Sequence, residues 1–118
     1  MIFVFGSNLA GRHGKGAALY AARKHGAEYG VGKGRTGNAY AIPTKDERLR
    51  TLSTDQVSEY IKEFCKYAAE NHSEQFELTP VGCGLAGLDP RWVSQTFQKY
   101  GLTSNVYLSR SWLEYVGS

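Results

Sequence analysis

Three clusters of glycine constrain the fold of this chain more than any other feature. Eleven of its fourteen glycines lie at residues 6–16, 30–37 and 82–87. The first cluster follows the apolar run IFVF (residues 2–5), and the third ends the run FELTPVG (residues 76–82). Each of these two clusters leads into a helical pattern. A strand, a glycine-rich turn and a helix in this order are typical of an α/β protein with a parallel sheet.

Strand and helix patterns alternate along the whole chain. We predict strands at residues 2–5, 39–43, 76–82 and 105–109, and helices at residues 17–26, from 53 onward, from 89 to 101 and at 111–116. Ser53 and Gln56 have the spacing of a capping box, and Asp89 before Pro90 is a strong helix start. The pattern predicts one domain over residues 1–118, a three-layer α/β/α sandwich with a mainly parallel sheet.

The charge of the chain is modest but unevenly distributed. The net charge is +3, with nine Lys/Arg against five Asp/Glu in residues 1–59 and five against six in residues 60–118. The basic excess coincides with the first glycine clusters, which suits an anionic ligand; a solvated basic face is the alternative. No apolar run reaches the roughly 18 residues of a membrane span. Two cysteines with neither framework nor metal-ligand spacing favour a reducing, cytoplasmic setting. No cluster of His, Cys, Asp and Glu suggests a metal, and we expect no cofactor.

The glycine clusters predict a ligand crevice, because the carboxyl ends of parallel strands share one edge of the sheet. A loop that enters a helix there directs free N–H groups and the positive end of the helix dipole at the crevice. Phosphate is therefore the expected ligand. Two phosphate-binding motifs are incomplete. Gly6 and Gly11 have P-loop spacing, but Arg12-His13 follows them. Residues 82–87 match GxGxxG, but no acid lies at residues 102–108.

The runs AYAIPTKD (residues 39–46) and FELTPVGCGLAGLDPRWV (residues 76–93) resemble the second half of a macrodomain. They are most similar to the branch that contains the terminal ADP-ribose protein glycohydrolase and the DNA ADP-ribosyl glycohydrolases. In that branch a strand ends in Thr-Lys and a later strand enters an Ile-Gly-Cys-Gly-Leu loop; here Thr44-Lys45 and residues 81–85 match. GRHGKGAALYAARKHG (residues 11–26) also resembles the macrodomain phosphate loop and small phage and bacterial proteins with a macro-like core. The resemblance covers residues 3–108.

The resemblance implies a truncated macrodomain-like fold and a ligand of the ADP-ribose type. The loops at residues 11–16 and 82–87 would enclose its diphosphate and distal ribose. Lys45 would match the lysine that attacks the anomeric carbon in the glycohydrolase, which requires a partly neutral amine; a solvated loop lysine is the alternative. The predicted ligand-binding residues are Gly6, Ser7, Asn8, Gly11, Arg12, His13, Gly14, Lys15, Gly16, Ala17, Arg35, Thr44, Gly82, Cys83, Gly84, Leu85, Ala86 and Gly87.

Two departures from the family's pattern leave the activity open. The family's catalytic acid directly follows GCGL, and Ala86 stands in that place here. Asp89, three residues on, is the nearest acid and our second catalytic candidate, although the N-cap also explains it. Macrodomains usually begin with an additional strand whose acid contacts adenine, whereas this sequence begins with what would be the next strand. The identity of the nucleotide therefore stays open.

Several polar side chains near the loops have both a functional and a structural explanation. Asn8 stands where macrodomains often place a ribose contact, but asparagine also suits a turn. His13 has the chemistry of an acid or base near neutral pH, or it lines the loop. Arg12 and Arg35 suit phosphate, although exposed arginines are common.

The remaining candidates are a thiol and three aromatic rings. Cys83 precedes a helix, where a thiol becomes more acidic, but a small residue between glycines also packs well. Tyr29, Tyr40 and Trp92 have rings that stack on a base, and Tyr40 and Trp92 fit the core better.

We rank three functions from the sequence. The first is a module that binds an ADP-ribose-related nucleotide without turning it over, which the alanine at position 86 favours; sequestering a nucleotide signal is one use. The second is an ADP-ribosyl glycohydrolase that uses Lys45. The third is a basic nucleic-acid-binding protein, disfavoured because the charge is interleaved with glycine rather than gathered in a stripe with aromatics. The oligomeric state stays open.

Overall fold

The computed structural model describes residues 1–115 as an α/β protein with a five-stranded sheet between two helical layers. The elements, in chain order, are β1 (Ile2–Asn8), α1 (Gly16–Lys24), β2 (Gly34–Thr36), β3 (Ala39–Lys45), α2 (Thr54–Glu70), β4 (Phe76–Leu78), α3 (Pro90–Tyr100), β5 (Val106–Leu108) and a 3-10 turn (Arg110–Glu114). The last predicted helix, at residues 111–116, extends beyond the described residues.

The strands are arranged in the order β2-β3-β1-β4-β5. β1 lies at the centre and runs parallel to β3 and β4, and β4 runs parallel to β5; β2 pairs antiparallel with β3. The mainly parallel sheet that we predicted is therefore confirmed, together with the α/β sandwich. β2 was not predicted, because its sequence, GRT, lies within the second glycine cluster and lacks apolar residues.

The apolar run of β1 supplies both faces of the sheet. Ile2 and Val4 point into the core formed with α2 and α3, whereas Phe3 and Phe5 pack under α1. A strand that is covered on both faces has no need for polar alternation, and this explains its continuous hydrophobicity. Four phenylalanines of the two faces are almost fully buried: Phe5, Phe64, Phe76 and Phe97.

The two predicted helix starts form as the sequence indicates. Gln56 N donates to Ser53 Oγ at 3.2 Å and Ser53 N donates to Gln56 Oε1 at 3.2 Å, which completes the capping box of α2. Asp89 accepts a hydrogen bond from Arg91 N at 3.0 Å and caps α3, with Pro90 as its first residue. These caps fix where α2 and α3 begin, and therefore how long the loops before them are.

Candidate functional site

A cavity of about 1040 Å³ lies at the carboxyl ends of the central strands. We call residues 9–15, between β1 and α1, loop one, and residues 79–89, between β4 and α3, loop two. Both loops line the cavity, as do the ends of β1 and β3 and the turn after β5. The cavity is large enough for a nucleotide, and it lies where ligands bind in parallel sheets.

The two loops meet across this cavity. A Cβ atom added to Gly16, at the start of α1, would lie 3.7 Å from the Leu85 side chain of loop two. Deeper in the molecule, a Cβ on Gly6 would come within 2.8 Å of the Gly82 amide nitrogen. Glycine at position 6 is therefore required for loop two to pass close to the end of β1.

Both cavity-lining loops contain backbone amides without a protein partner. Within residues 1–115, the N–H groups of Gly14, Gly84, Leu85 and Ala86 make no hydrogen bond to another protein group. The first turn of α1 contains no acidic residue, and the side chain of Lys15 makes no capping hydrogen bond there. Free N–H groups and an uncapped helix start together form an environment that favours an anion.

At two positions in the cavity lining, no contact within the protein requires the residue to be glycine. Gly14 and Gly84 lie one in each loop, both line the cavity, and neither has a positive φ. Nothing lies within 4 Å of a Cβ built on either residue. Neither a positive φ nor close packing requires glycine at these positions. The absence of a side chain at each of them keeps the adjacent space in the cavity open.

The polar side chains at the cavity floor are already bonded to the backbone. Asn8 Nδ2 donates to Arg12 O at 2.9 Å, and Arg12 N donates to Asn8 Oδ1 at 2.9 Å, so Asn8 folds loop one. Thr44 Oγ1 donates to Ser7 O at 3.2 Å, and the Ser7 hydroxyl donates to Gly32 O. A ligand therefore meets mainly backbone amides at the floor rather than free hydroxyl or amide side chains.

Lys45 lies at the end of β3 and lines the cavity. Its carbonyl accepts a hydrogen bond from Leu9 N at 2.9 Å, and it forms a bridge to Thr51. Thr51 Oγ1 in turn donates to Ala86 O of loop two at 2.9 Å. Among the described residues, Lys45 has no ion-pair partner within 4 Å. Its backbone is thus tied to both loops while its amine is free to meet a ligand.

Fourteen of the twenty predicted site residues line the cavity: Gly6, Ser7, Asn8, Arg12, Gly14, Lys15, Gly16, Ala17, Thr44, Lys45, Gly82, Gly84, Leu85 and Ala86. The structure places the other six outside the lining: Gly11, His13, Arg35, Cys83, Gly87 and Asp89.

Three of the six outer residues have a structural role. Arg35 lies on β2, where its guanidinium donates to Glu74 at 2.8 Å and to Tyr67 at 3.3 Å. The Asp89 carboxylate caps α3, is exposed and does not face Lys45 across the cavity. Gly11 provides close backbone packing, since a Cβ there would overlap the backbone of Gly30. The second glycine cluster therefore supports loop one from behind and is not a third ligand loop.

The other three outer residues, His13, Cys83 and Gly87, also lie in loop one or loop two. His13 is buried beneath loop one. Burial, followed by the charge of Asp89, raises the pKa of the Cys83 thiol to about 11, the opposite of what a nucleophile requires. Gly87 has a φ of +72° and turns loop two towards α3.

Sequence reasoning missed several residues that line the cavity. Tyr20 and Leu49 are exposed apolar side chains at its mouth, and Glu77 and Glu114 are the carboxylates in its lining. Leu49 has a φ of +64° within a turn that Asp46 holds by accepting from Arg48 N and Arg50 N. No motif marked this turn, because its sequence reads only as a polar loop.

Of the three aromatic candidates, one lines the cavity and two pack in the core, as the sequence pattern indicated. Tyr29 is 68% exposed and lines the cavity. Tyr40 is buried in the core, and burial raises its pKa to about 12. Trp92 packs against the same core from α3.

Solved structures supply the comparison that decides the fold. The macrodomain of DarG from Thermus aquaticus superimposes with a TM-score of 0.70 at 23% identity, over 90% of this chain and 85% of that one. The macrodomain of DarG from Mycobacterium tuberculosis gives 0.65 at 20%, over 90% and 86%. This chain has a macrodomain-like fold. A Bacteroides thetaiotaomicron protein of unknown function shares that fold, with a TM-score of 0.62 at 18% identity over 91% and 86%.

No protein-family model and no curated protein matches the chain. The macrodomain-like fold is therefore established by three-dimensional similarity, in agreement with the resemblance of the loop motifs. Among residues 1–115, no group of three or more His, Cys, Asp or Glu side chains has the arrangement of a metal site. No helix in that range is both long and apolar enough to cross a membrane.

Proposed function

We propose that this protein binds a nucleotide of the ADP-ribose type in the cavity between loop one and loop two. The observation that carries the proposal is the pairing of Gly14 and Gly84, which face open space from opposite loops beside free N–H groups. Two phosphate groups in sequence are the ligand that such a double set of amides suits. The macrodomain-like fold supports the same ligand class.

The charges at the cavity fit this ligand. Arg12, Lys15 and Lys45 approach from loop one and β3, and Arg110 from the turn after β5. Glu77 and Glu114 are the acidic residues of the lining, so basic side chains predominate around the amides. A diphosphate carries two negative charges that this distribution stabilises, while the exposed ring of Tyr29 offers an apolar surface for a ribose or a base.

Isothermal titration calorimetry with ADP-ribose tests the proposal directly. We expect binding by the unmodified protein and at least a tenfold loss of affinity, about 1.4 kcal/mol, in Gly14→Ala and in Gly84→Ala. Each added methyl group occupies space that the phosphates need. Ser73→Thr adds the same methyl group in the exposed turn before β4, at the opposite edge of the sheet, and serves as the control. Absence of binding heat, or equal affinity in all variants, would refute the proposal.

A second candidate function is hydrolysis of an ADP-ribosyl bond with Lys45 as the nucleophile. Its support is the position of Lys45, which lines the cavity with its amine unpaired among the described residues. Ala86 and the outward placement of Asp89 favour binding over turnover, because neither supplies an acid in the cavity.

Incubation with ADP-ribosylated protein and ADP-ribosylated DNA separates the two functions. A hydrolase releases ADP-ribose and loses this release, by at least a hundredfold, in Lys45→Ala. A binding module releases none but still binds free ADP-ribose. Release that persists at full rate in Lys45→Ala would remove Lys45 from the reaction.

A further inference from the structure

The sheet face beneath α1 is only half covered, and the cavity continues along its open half. Phe76 and Leu78 of β4 point into the core formed with α2 and α3. Side chains alternate along a strand, so Glu77 between them points to the face on which α1 lies. Among residues 1–115, the buried apolar cluster under α1 contains residues of β1 and β3 but none of β4 or β5. The side chains of β4 on this face are therefore open to a ligand.

Glu77 places a carboxylate in this open half of the sheet. The residue is half-buried and lines the cavity. In the register of the sheet it lies between Phe3 of β1 and Tyr107 of β5. In the part of the chain that the structure describes, its carboxylate has no ion-pair partner within 4 Å. Its two oxygens are thus available as hydrogen-bond acceptors for a ligand.

An exposed aromatic ring lies beside the same part of the sheet. Tyr20 of α1 is 51% exposed, and its ring packs on Phe3 with the ring centroids 5.2 Å apart. Both residues line the cavity together with Glu77. Tyr20 follows Gly16 by four residues, which places it on the same side of α1 and about 6 Å further along the helix axis. One side of α1 therefore leads from the loops to a ring on which a base can stack.

The two ends of the cavity thus differ in their chemistry. The end at the loops combines backbone amides with the cations Arg12, Lys15 and Lys45. The end beside α1 and β4 combines the ring of Tyr20 with the carboxylate of Glu77. A nucleotide has the same polarity, because its phosphates are anionic while the edge of its base carries hydrogen-bond donors. The first end suits the phosphates and the second end suits the base.

We propose that Glu77 contacts the base of the bound nucleotide and selects guanine over adenine. The proposal rests on the proposed function, in which the two loops hold the diphosphate. An ionised carboxylate has two acceptor oxygens and no donor. Guanine presents its N1–H and its 2-amino group side by side, so both oxygens receive a hydrogen bond. Adenine presents its 6-amino group beside the lone pair of N1, and that lone pair would face the second carboxylate oxygen without a hydrogen between them.

Calorimetry with ADP-ribose and with GDP-ribose, which differs from it only in the base, tests the proposal. We expect the unmodified protein to bind GDP-ribose about tenfold more tightly or better, as befits hydrogen bonds to a charged group. Glu77→Gln should reverse this preference, because an amide accepts from the 6-amino group of adenine and donates to its N1. The ratio of the two affinities is the measurement, since removing a negative charge strengthens the binding of both anionic ligands alike.

Glu59→Gln is the matched control, because it removes the same charge from an exposed position on α2, on the other side of the sheet. It should keep the preference for GDP-ribose, and circular dichroism shows whether each variant folds. Equal affinity for the two ligands, or a ratio that does not change in Glu77→Gln, would overturn the proposal. So would a reversal in Glu114→Gln in its place.

The same titrations distinguish this proposal from the proposed function. Binding of ADP-ribose that equals or exceeds the binding of GDP-ribose would overturn the role of Glu77 and leave the proposed function intact. Absence of binding heat with both ligands would refute the proposed function, and the selection of the base with it.

Discussion

Glycines in this protein occur in two contrasting surroundings. Gly11 and Gly32 lie where two backbone segments touch, and a Cβ on either would overlap the backbone opposite, at Gly30 and at the Asn8 carbonyl. Gly14 lies in loop one and Gly84 lies in loop two, across the cavity. A Cβ on either would touch nothing within 4 Å. The first pair is required by folding, whereas the second pair leaves room for a molecule that comes from outside.

The difference teaches that glycine content alone does not identify a ligand loop. The second cluster, at residues 30–37, has as many glycines as the first and includes two basic residues, Lys33 and Arg35. Yet Arg35 is engaged by Glu74, Lys33 by Glu63, and the segment supports loop one from behind. Only the contacts around each glycine show whether its segment supports another loop or lines the cavity.

The largest effect should come from Gly32→Ala. Its methyl group would overlap the Asn8 carbonyl oxygen, which belongs to rigid backbone and cannot move aside cheaply. We expect the free energy of unfolding to fall by about 3 kcal/mol or more, the upper range of overpacking. Urea denaturation followed by circular dichroism measures the change.

Gly14→Ala is the matched control for this substitution. It adds the same methyl group to the same loop system, but in open space and without a positive φ. Its free energy of unfolding should stay within about 0.5 kcal/mol of the unmodified protein. Equal destabilisation by the two substitutions would erase the distinction between the two classes of glycine.

The smallest effect concerns the thiol between two glycines of loop two. Cys83 Sγ lies 3.6 Å from the Val81 carbonyl oxygen, and burial raises the thiol pKa to about 11. At pH 8 the thiolate fraction is then roughly two-hundredfold below that of a free cysteine with a pKa near 8.5. Iodoacetamide should modify native Cys65→Ser protein correspondingly slowly, with a rate that still rises up to pH 11.

Fast labelling of Cys83 at pH 7 would show that its side chain, and not only the backbone of loop two, takes part in the chemistry of the cavity. The variant Cys83→Ser provides the reference, because the remaining thiol, Cys65, lies in the core of α2 with a pKa also raised to about 11 by burial. Both variants should label at similarly low rates in the folded state.

Much of the fold was predictable because the signals were local. The capping box at Ser53, the Asp89-Pro90 helix start and the continuous apolar run of β1 each determine an element through neighbouring residues. β2 was missed for the same reason. Its strand conformation comes from pairing Gly34–Thr36 with β3 rather than from its own side chains, and no local pattern records that pairing.

The candidate site was predictable in its backbone and less so in its side chains. The rule that parallel strands end at one edge brought loop one and loop two together correctly. The directions of individual side chains depend on contacts remote in sequence. His13 turns towards Glu28, fifteen residues away, and Arg35 towards Glu74, thirty-nine away. The turn that contains Leu49 depends on Asp46, which accepts two backbone hydrogen bonds. No sequence motif indicated these bonds.

The close seating of loop one on residues 28–32 has a practical consequence for protein engineering. The loop cannot be transplanted to another scaffold as a short peptide, since Gly11, His13 and Ser7 all depend on partners in that segment. A transferable unit would have to span β1, α1 and the stretch up to residue 33 as one continuous module. Libraries that diversify the cavity should vary Arg12, Lys15 and Leu85, and leave residues 28–32 unchanged.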